Sequence, residues 1–89
     1  MAIAKIDDLR QRIRDALRSA DFQATALSLR GPGLKIAVAR LFKIRNIGVT
    51  LISVEPAETA ALADFAVVWT SPIASKNETN WFSFEGVKR

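Results

Sequence analysis

The chain has 89 residues, of which 49% are hydrophobic and 25% charged, and these proportions are typical of one globular domain. It contains no cysteine, histidine or tyrosine, and its formal net charge is +4. Disulfide bonds, histidine- or cysteine-based metal sites and nucleophilic catalysis of the Ser/His/Asp or Cys/His kind are therefore excluded within one chain.

The first predicted element is an amphipathic helix over residues 6–20. Apolar side chains recur every three or four residues, as one helical face requires, at Ile6, Leu9, Ile13, Ala16 and Ala20. This stripe spans only about two heptads, fewer than a coiled coil needs, so we expect it to pack on the domain's own sheet, with a dimer seam as the alternative. Arg10, Arg14 and Arg18 follow at helical spacing on another side.

Residues 22–29 are predicted to form a strand, because Thr25, Leu27 and Leu29 alternate with their neighbours. The next segment, residues 34–45, fits two patterns. A period of 3.6 residues gives one helical stripe, which contains Leu34, Ala37, Val38, Leu41 and Ile44. A period of two gives a strand, in which Ile36, Val38, Phe42 and Ile44 alternate with Lys35, Lys43 and Arg45. We favour the helix, because its residues are good helix formers and Asn-Ile-Gly at residues 46–48 makes a suitable stop.

The second half of the chain is predicted to form strands. Residues 48–54 are apolar on both faces, as in a central strand, and residues 64–70 form another strand after a turn or short helix at residues 57–63. A polar connection over residues 71–79 leads to a last aromatic segment, residues 81–84. That segment is expected to be an edge strand, with Phe82 and Phe84 on one side and Trp81 on the other.

These elements predict a single α+β domain over residues 1–89, with one or two helices packed on a three- to four-stranded, largely antiparallel sheet. The order helix, strand, helix, strand, strand over residues 8–71 is similar in outline to the half-ferredoxin-like assembly domains of type II secretion and type IV pilus inner-membrane platforms. One strand of that family's pattern has no counterpart here. The resemblance implies a domain that pairs as a dimer.

Charge is unevenly distributed along the chain. Residues 1–45 carry ten of the thirteen Lys and Arg and four of the nine acids, a net charge of +6, and residues 46–89 carry −2. The first residues meet charges too early for a signal peptide, and no apolar run approaches the ~20 residues of a membrane span. We expect a cytoplasmic protein with no membrane span. Self-association, as a homodimer or larger homo-oligomer, is the expected supplement to a core this small.

The first candidate site is a basic face for an anionic partner, formed by Arg10, Arg14, Arg18, Lys35, Arg40, Lys43 and Arg45. If residues 6–20 and 34–45 are helices lying side by side, these cations form a continuous surface for phosphates. A helix-turn-helix arrangement with residues 34–45 as recognition helix is a further possibility. A merely solvated surface is the alternative, because no aromatic side chain is interleaved to stack a base.

The second candidate site is a protein interface at Trp69, Trp81, Phe82 and Phe84, since aromatic side chains often anchor interfaces. Alternatively, these residues complete the domain's own core. Acid–base chemistry would need a carboxylate pair such as Glu55 with Glu58 or Asp64, and no spacing forces such a pair together. We therefore expect no enzymatic activity, no cofactor and no metal. The expected function is a protein-binding or assembly module, as in small accessory proteins of phage, plasmid or secretion-type systems, with nucleic-acid binding as the alternative.

Overall fold

A computed structural model describes residues 2–29, 32–58 and 63–84. Three helices precede three strands, in the order α1 (Ala2–Leu17), α2 (Ala20–Ser28), α3 (Pro32–Ile44), β1 (Thr50–Pro56), β2 (Phe65–Thr70) and β3 (Glu78–Phe82). The strands form one antiparallel sheet, against which α1 packs at β3 and α3 packs at β1, while α2 packs on both other helices. The predicted α+β class is confirmed, with three described helices in place of one or two.

The apolar stripe of α1 is used within the chain. Ile13, Ala16 and Leu17 are buried in the core shared by helices and sheet. The helix ends two residues before Ser19, whose hydroxyl donates to the Ala16 carbonyl oxygen at 2.9 Å. That bond satisfies one of the carbonyl groups that a helix end leaves without a partner. The alternative of a dimer seam is therefore not needed to bury this face.

Residues 20–28 form α2, so the strand predicted over residues 22–29 is wrong. The buried side chains lie at helical and not alternating spacing, at Phe22, Gln23 and Ala26. The Thr25 hydroxyl donates to the Asp21 carbonyl oxygen at 3.1 Å. A hydroxyl bonded four residues back is compatible with a helix, so the threonine does not break it. The weak alternation of Thr25, Leu27 and Leu29 with their neighbours therefore does not define the side of this segment that faces the core.

The helical interpretation of residues 34–45 is confirmed, and α3 ends as the sequence predicts. Asn46 adopts a left-handed conformation, with φ of 57°. Its amide donates to the Lys43 carbonyl oxygen at 3.2 Å, and the Ile47 amide donates to that of Phe42 at 2.8 Å. This pair of bonds is the Schellman motif, and burial of Ile47 and Phe42 supplies its usual apolar contact. The stop is therefore made by Asn46, not by Gly48.

The sheet has the order β1-β2-β3, so β2 is its central strand. The prediction of residues 48–54 as a central strand is wrong: β1 lies at an edge, runs on through Pro56 and contains a register shift between Leu51 and Ser53. The central position belongs to β2, where consecutive residues from Phe65 to Val67 are all buried. The edge strand predicted at residues 81–84 is present as β3 with different bounds: it begins at Glu78 and ends at Phe82, so residues 83 and 84 lie beyond it.

Three helices followed by three strands do not reproduce the half-ferredoxin-like order, because that outline needed a strand at residues 22–29. Residues 59–62 of the turn or short helix predicted at residues 57–63 lie outside the described residues. None of the described helices combines the length and the apolar character needed to cross a membrane.

Buried polar side chains connect β3 and the segment after it to the helices. The Trp69 indole donates to Asn80 Oδ1 at 2.8 Å, and the Asn80 amide donates to the Arg10 carbonyl oxygen at 3.4 Å. The Gln23 amide of α2 donates to the Ser83 carbonyl oxygen at 2.6 Å. Beside these bonds lies a cluster of phenylalanine rings with neighbouring centroids 5.6 to 6.1 Å apart, which contains Phe22, Phe65, Phe82 and Phe84.

Candidate functional site

The predicted basic face begins with Arg10, and the structure holds that side chain in an ion pair. Arg10 Nε donates to Glu78 Oε1 at 2.8 Å and its Nη2 donates to Oε2 at 3.1 Å, while Nη1 donates to Asp7 at 2.7 Å. Hydrogen bonding to Arg10 lowers the pKa of Glu78 below its ordinary value, and the same contact raises the pKa of Arg10. The Arg10 guanidinium therefore joins α1 to β3 and is bonded to two carboxylates, so it is not available to bind a phosphate as the predicted basic face requires.

The other arginines of α1 point to two different flanks. Arg12 Nη2 donates to the carbonyl oxygens of Arg45 at 3.4 Å and Asn46 at 3.2 Å, so its side of α1 faces the end of α3. Arg14 lies two residues further, about 200° round the helix, and projects from the flank that Arg10 occupies. Arg10 and Arg14 therefore lie on a different flank of α1 from the one that faces the end of α3, and they do not form one continuous surface with the α3 cations. Arg18 is exposed just after the end of α1.

The outward side of α3 carries both apolar and basic side chains. Ile36 and Ile44 expose 62% and 74% of their surface to solvent, and Arg40, halfway between them, is also exposed. Residues four apart lie one above another on a helix, so these three side chains form a line, here called the α3 crest. Lys43 is exposed beside it. The predicted helical stripe placed Ile44 in the core, and the structure buries Phe42 instead.

Depressions lie on both sides of the α3 crest. Between α2 and α3 is a groove of about 580 Å³, called here the α2–α3 groove. It is lined by Ser19, Asp21, Phe22, Thr25, Leu29, Gly33, Ile36, Ala37, Arg40, Leu41, Ile44 and Arg45. A second depression of about 520 Å³, between α3 and the approach to β1, also includes Ile36 and Arg40, together with Lys43 and Ile47. A ligand lying along α3 from either side thus meets the same isoleucine and arginine.

The aromatic candidates mostly belong to the core. Trp69 is fully buried, and Phe82 and Phe84 are each only 4% exposed, as expected if they complete the domain's own core. Trp81 alone among the four is accessible, with 48% of its surface exposed on the sheet face that turns away from the helices. Ile52 of β1, which is 40% exposed, is the other large apolar side chain accessible on the described part of the sheet.

Two of the three carboxylates considered for acid–base chemistry, Glu55 and Asp64, have other hydrogen-bond partners. Glu55 accepts a hydrogen bond from the Ser53 hydroxyl at 2.8 Å, and Asp64 Oδ2 accepts one from the Phe84 amide at 3.0 Å. Over the described ranges, no three acidic side chains come close enough together to hold a metal ion. The α3 crest itself offers apolar contact, through Ile36 and Ile44, and cationic hydrogen bonding, through Arg40.

The exposed isoleucines were missed by the sequence analysis, although Ile36 gave a signal. It falls outside the stripe of the favoured helical period, so the sequence already places it away from the core-facing side of the helix. Ile44 gave no such signal, because it fits the stripe.

No protein-family model, curated protein or solved structure matches this chain.

Proposed function

We propose that this domain is a non-enzymatic protein-binding module that meets its partner at the α3 crest and the α2–α3 groove. The main observation in support is that Ile36 and Ile44 expose 62% and 74% of their surface at the edge of a groove of about 580 Å³. Burying an aliphatic side chain of this size stabilises a complex by roughly 1.5–3 kcal/mol. Two isoleucines and the groove floor therefore supply a substantial apolar contact at one place.

A nucleic acid is the second candidate partner. It is favoured by the order of α2, a short connection and α3, as in a helix-turn-helix arrangement. It is also favoured by four exposed cations on α3 and just after it, Lys35, Arg40, Lys43 and Arg45. The α3 crest argues against it, because phosphates and base edges are contacted by charged and hydrogen-bonding side chains. Two exposed isoleucines on the same face suit an apolar protein surface better.

Self-association, expected from the sequence, stays a prediction. The positive charges of α3 make the α3 crest an unfavourable surface for it. Two copies meeting crest to crest would bring Arg40 and Lys43 against their own copies, and like charges in an interface are unfavourable. The described strand residues include no exposed cation, and Trp81 is exposed on the sheet face that turns away from the helices. A second copy is therefore expected there, and a different protein at the α3 crest.

The test is a selection of displayed random peptides on the immobilised domain, followed by fluorescence anisotropy with the enriched peptides. We expect the double substitution Ile36→Ser with Ile44→Ser to weaken their binding at least about tenfold, a loss of about 1.4 kcal/mol. The matched control, Ile52→Ser with Trp81→Ser, removes similar exposed apolar surface from the sheet and should leave binding within about twofold. Circular dichroism checks that both variants fold.

Two results would overturn the proposal. One is peptide binding that is indifferent to the crest substitutions. The other is binding of a duplex or single-stranded oligonucleotide that weakens steeply with salt and depends on Arg40 and Lys43, which would establish the nucleic-acid alternative. Light-scattering mass of the free domain, with the sheet-face variant as comparison, tests self-association separately.

A further inference from the structure

We infer that the occupant of the α2–α3 groove is an amphipathic helix of another protein, with apolar residues on one face and Asp or Glu on the flanks beside it. This inference rests on the proposed function and specifies its partner. We infer the spacing of the ligand's apolar side chains from the α3 crest and its helical conformation from the groove walls. We infer the negative charge of its flanks from the charges at the groove rim.

The spacing along the α3 crest fits a helical ligand. Ile36 and Ile44 are eight residues apart, which corresponds to about 12 Å along the axis of α3. A partner helix lying along α3 presents apolar side chains at positions i, i+3 or i+4 and i+7, over a similar distance. Its middle anchor would contact the groove floor, where Ala37 and Leu41 are half-buried.

The groove walls favour a helix over an extended peptide. Both walls are helices, in which backbone N–H and C=O groups are already bonded to each other, apart from those at the ends. An extended peptide in the groove would find few backbone partners for its own amides, and unpaired buried amides are costly. A helix brings its backbone groups already satisfied, so it can offer the groove side chains alone.

The charges at the rim favour an acidic ligand. Arg40 and Arg45 line the groove and are exposed, and Asp21 is the one acidic side chain in the described lining. Acidic flanks on the ligand would face these guanidinium groups while its apolar face lies on the floor. The rim thus selects between apolar helices by the charge of their flanks.

Among the described helices of a second copy, α1 is the nearest in character to such a ligand, and it is not free to bind. Its α1 is amphipathic and exposes Asp7, Asp8 and Asp15, although the same helix also carries four basic residues. The apolar face of α1 is, however, occupied in its own core, where Ile13 and Leu17 are at most 1% exposed. We therefore expect the helix to come from a different protein.

The experiment uses three synthetic helical peptides of about 16 residues, long enough to span the crest at ~1.5 Å per residue. All carry leucine at the same positions, and their remaining positions are rich in glutamate, glutamine or lysine. Fluorescence anisotropy on the full chain should show the glutamate peptide binding at least about tenfold tighter than the glutamine peptide, and the lysine peptide weakest. The Ile36→Ser/Ile44→Ser variant should lose the glutamate peptide.

A pair of charge variants separates specific recognition from general attraction to a basic protein. Arg40→Gln with Arg45→Gln removes two positive charges at the groove, and Arg14→Gln with Lys76→Gln removes two elsewhere. We expect the groove pair to weaken binding of the glutamate peptide at least about fivefold, and the control pair less than about twofold. Equal losses from both pairs would overturn the inference.

The remaining outcomes distinguish the inference from the function on which it rests. Equal affinity for the glutamate and glutamine peptides, lost on crest substitution, overturns the acidic partner and leaves protein binding intact. Crest-dependent binding of selected peptides with no binding of any of the three helical peptides overturns the helical partner alone. Peptide binding that is insensitive to Ile36 and Ile44 overturns both.

Discussion

At the scale of single residues, Arg10 is the side chain whose role differs most from its expected one. Its spacing with Arg14 and Arg18 suggested a row of phosphate contacts, and in the fold it makes a two-point ion pair with Glu78, 68 residues away. A helical period reports which side chains share a face, but not what lies opposite that face. The partner of Arg10 is fixed by the packing of β3 against α1, which a local pattern does not contain.

The ion pair predicts a pH dependence for the free energy of unfolding. Arg10 lowers the pKa of Glu78, so the folded state binds the Glu78 proton less readily than the unfolded state does. The pair therefore stabilises above the ordinary glutamate pKa, and this contribution is lost as pH falls through the lowered pKa of the folded state. Urea unfolding should show Glu78→Gln less stable than wild type at neutral pH, with the difference shrinking towards pH ~3.

The control for this prediction is Glu55→Gln, on the exposed face of β1, where the nearest partner is a serine hydroxyl. Its effect on stability should be small, because an exposed carboxylate that is hydrogen-bonded only to a neutral hydroxyl contributes little. A Glu78→Gln difference that stays constant from neutral pH to pH ~3 would show that the carboxylate charge is not what Arg10 recognises.

At the scale of elements, the C-terminal end of α3 makes the most specific prediction. Asn46 occupies the left-handed conformation that ends the helix, and a β-branched side chain is strained there. Asn46→Val should destabilise the domain by about 1–3 kcal/mol, and Asn46→Gly should be neutral or stabilising. Chemical denaturation monitored by tryptophan fluorescence measures both differences.

Gly48 provides the matched control two residues later. Nothing lies within 4 Å of a Cβ placed on Gly48, and its backbone is not left-handed. Gly48→Ala should therefore be tolerated, and reduced freedom of the unfolded chain should stabilise the fold by up to about 1 kcal/mol. If Gly48→Ala destabilises the domain as much as Asn46→Val does, the left-handed stop is not specific to Asn46.

Several elements could be predicted from local patterns, and the exceptions have physical reasons. The stripe of α1, the stop at Asn46 and the alternation around Phe82 each depend on neighbours in sequence, which is why they were identified. The helix α2 is short, and its Thr25 and Leu27 suit a strand as readily as a helix. The edge position of β1 depends on which strands pair with each other, and the apolar residues of a segment do not show whether it has one neighbouring strand or two.

At the scale of the whole molecule, the helical and strand-rich parts depend on each other. Arg10 and Gln23 of the helices bond to Glu78 and Ser83 near β3, and one core cluster includes residues of all three helices and of β2 and β3. We therefore expect one cooperative unfolding transition. The candidate site belongs to this scale too, since the exposure of Ile36 and Ile44 follows from where α2 and the sheet cover α3, which the sequence does not specify locally.

Native-state hydrogen exchange tests this cooperativity. The amides of Ile13 in α1 and Val67 in β2, both in fully buried residues, should exchange with the same free energy of opening, equal to that of global unfolding. The amide of Thr50, at an exposed strand end, provides the comparison and should exchange through a smaller opening. Exchange of Ile13 at a markedly lower free energy than Val67 would show that the helices open without the sheet.

The order of elements also has a consequence for how the protein is made in the cell. A ribosome delivers α1, α2 and α3 before any strand, so the side chains of Leu17 and Val38 leave the exit tunnel without the sheet that covers them. The nascent helices have no complete core until translation has passed Phe84, whose ring packs on Phe65 and Phe82. Folding of this core is thereby delayed until Phe84 has been synthesised, and the three helices are accessible to a chaperone before that point.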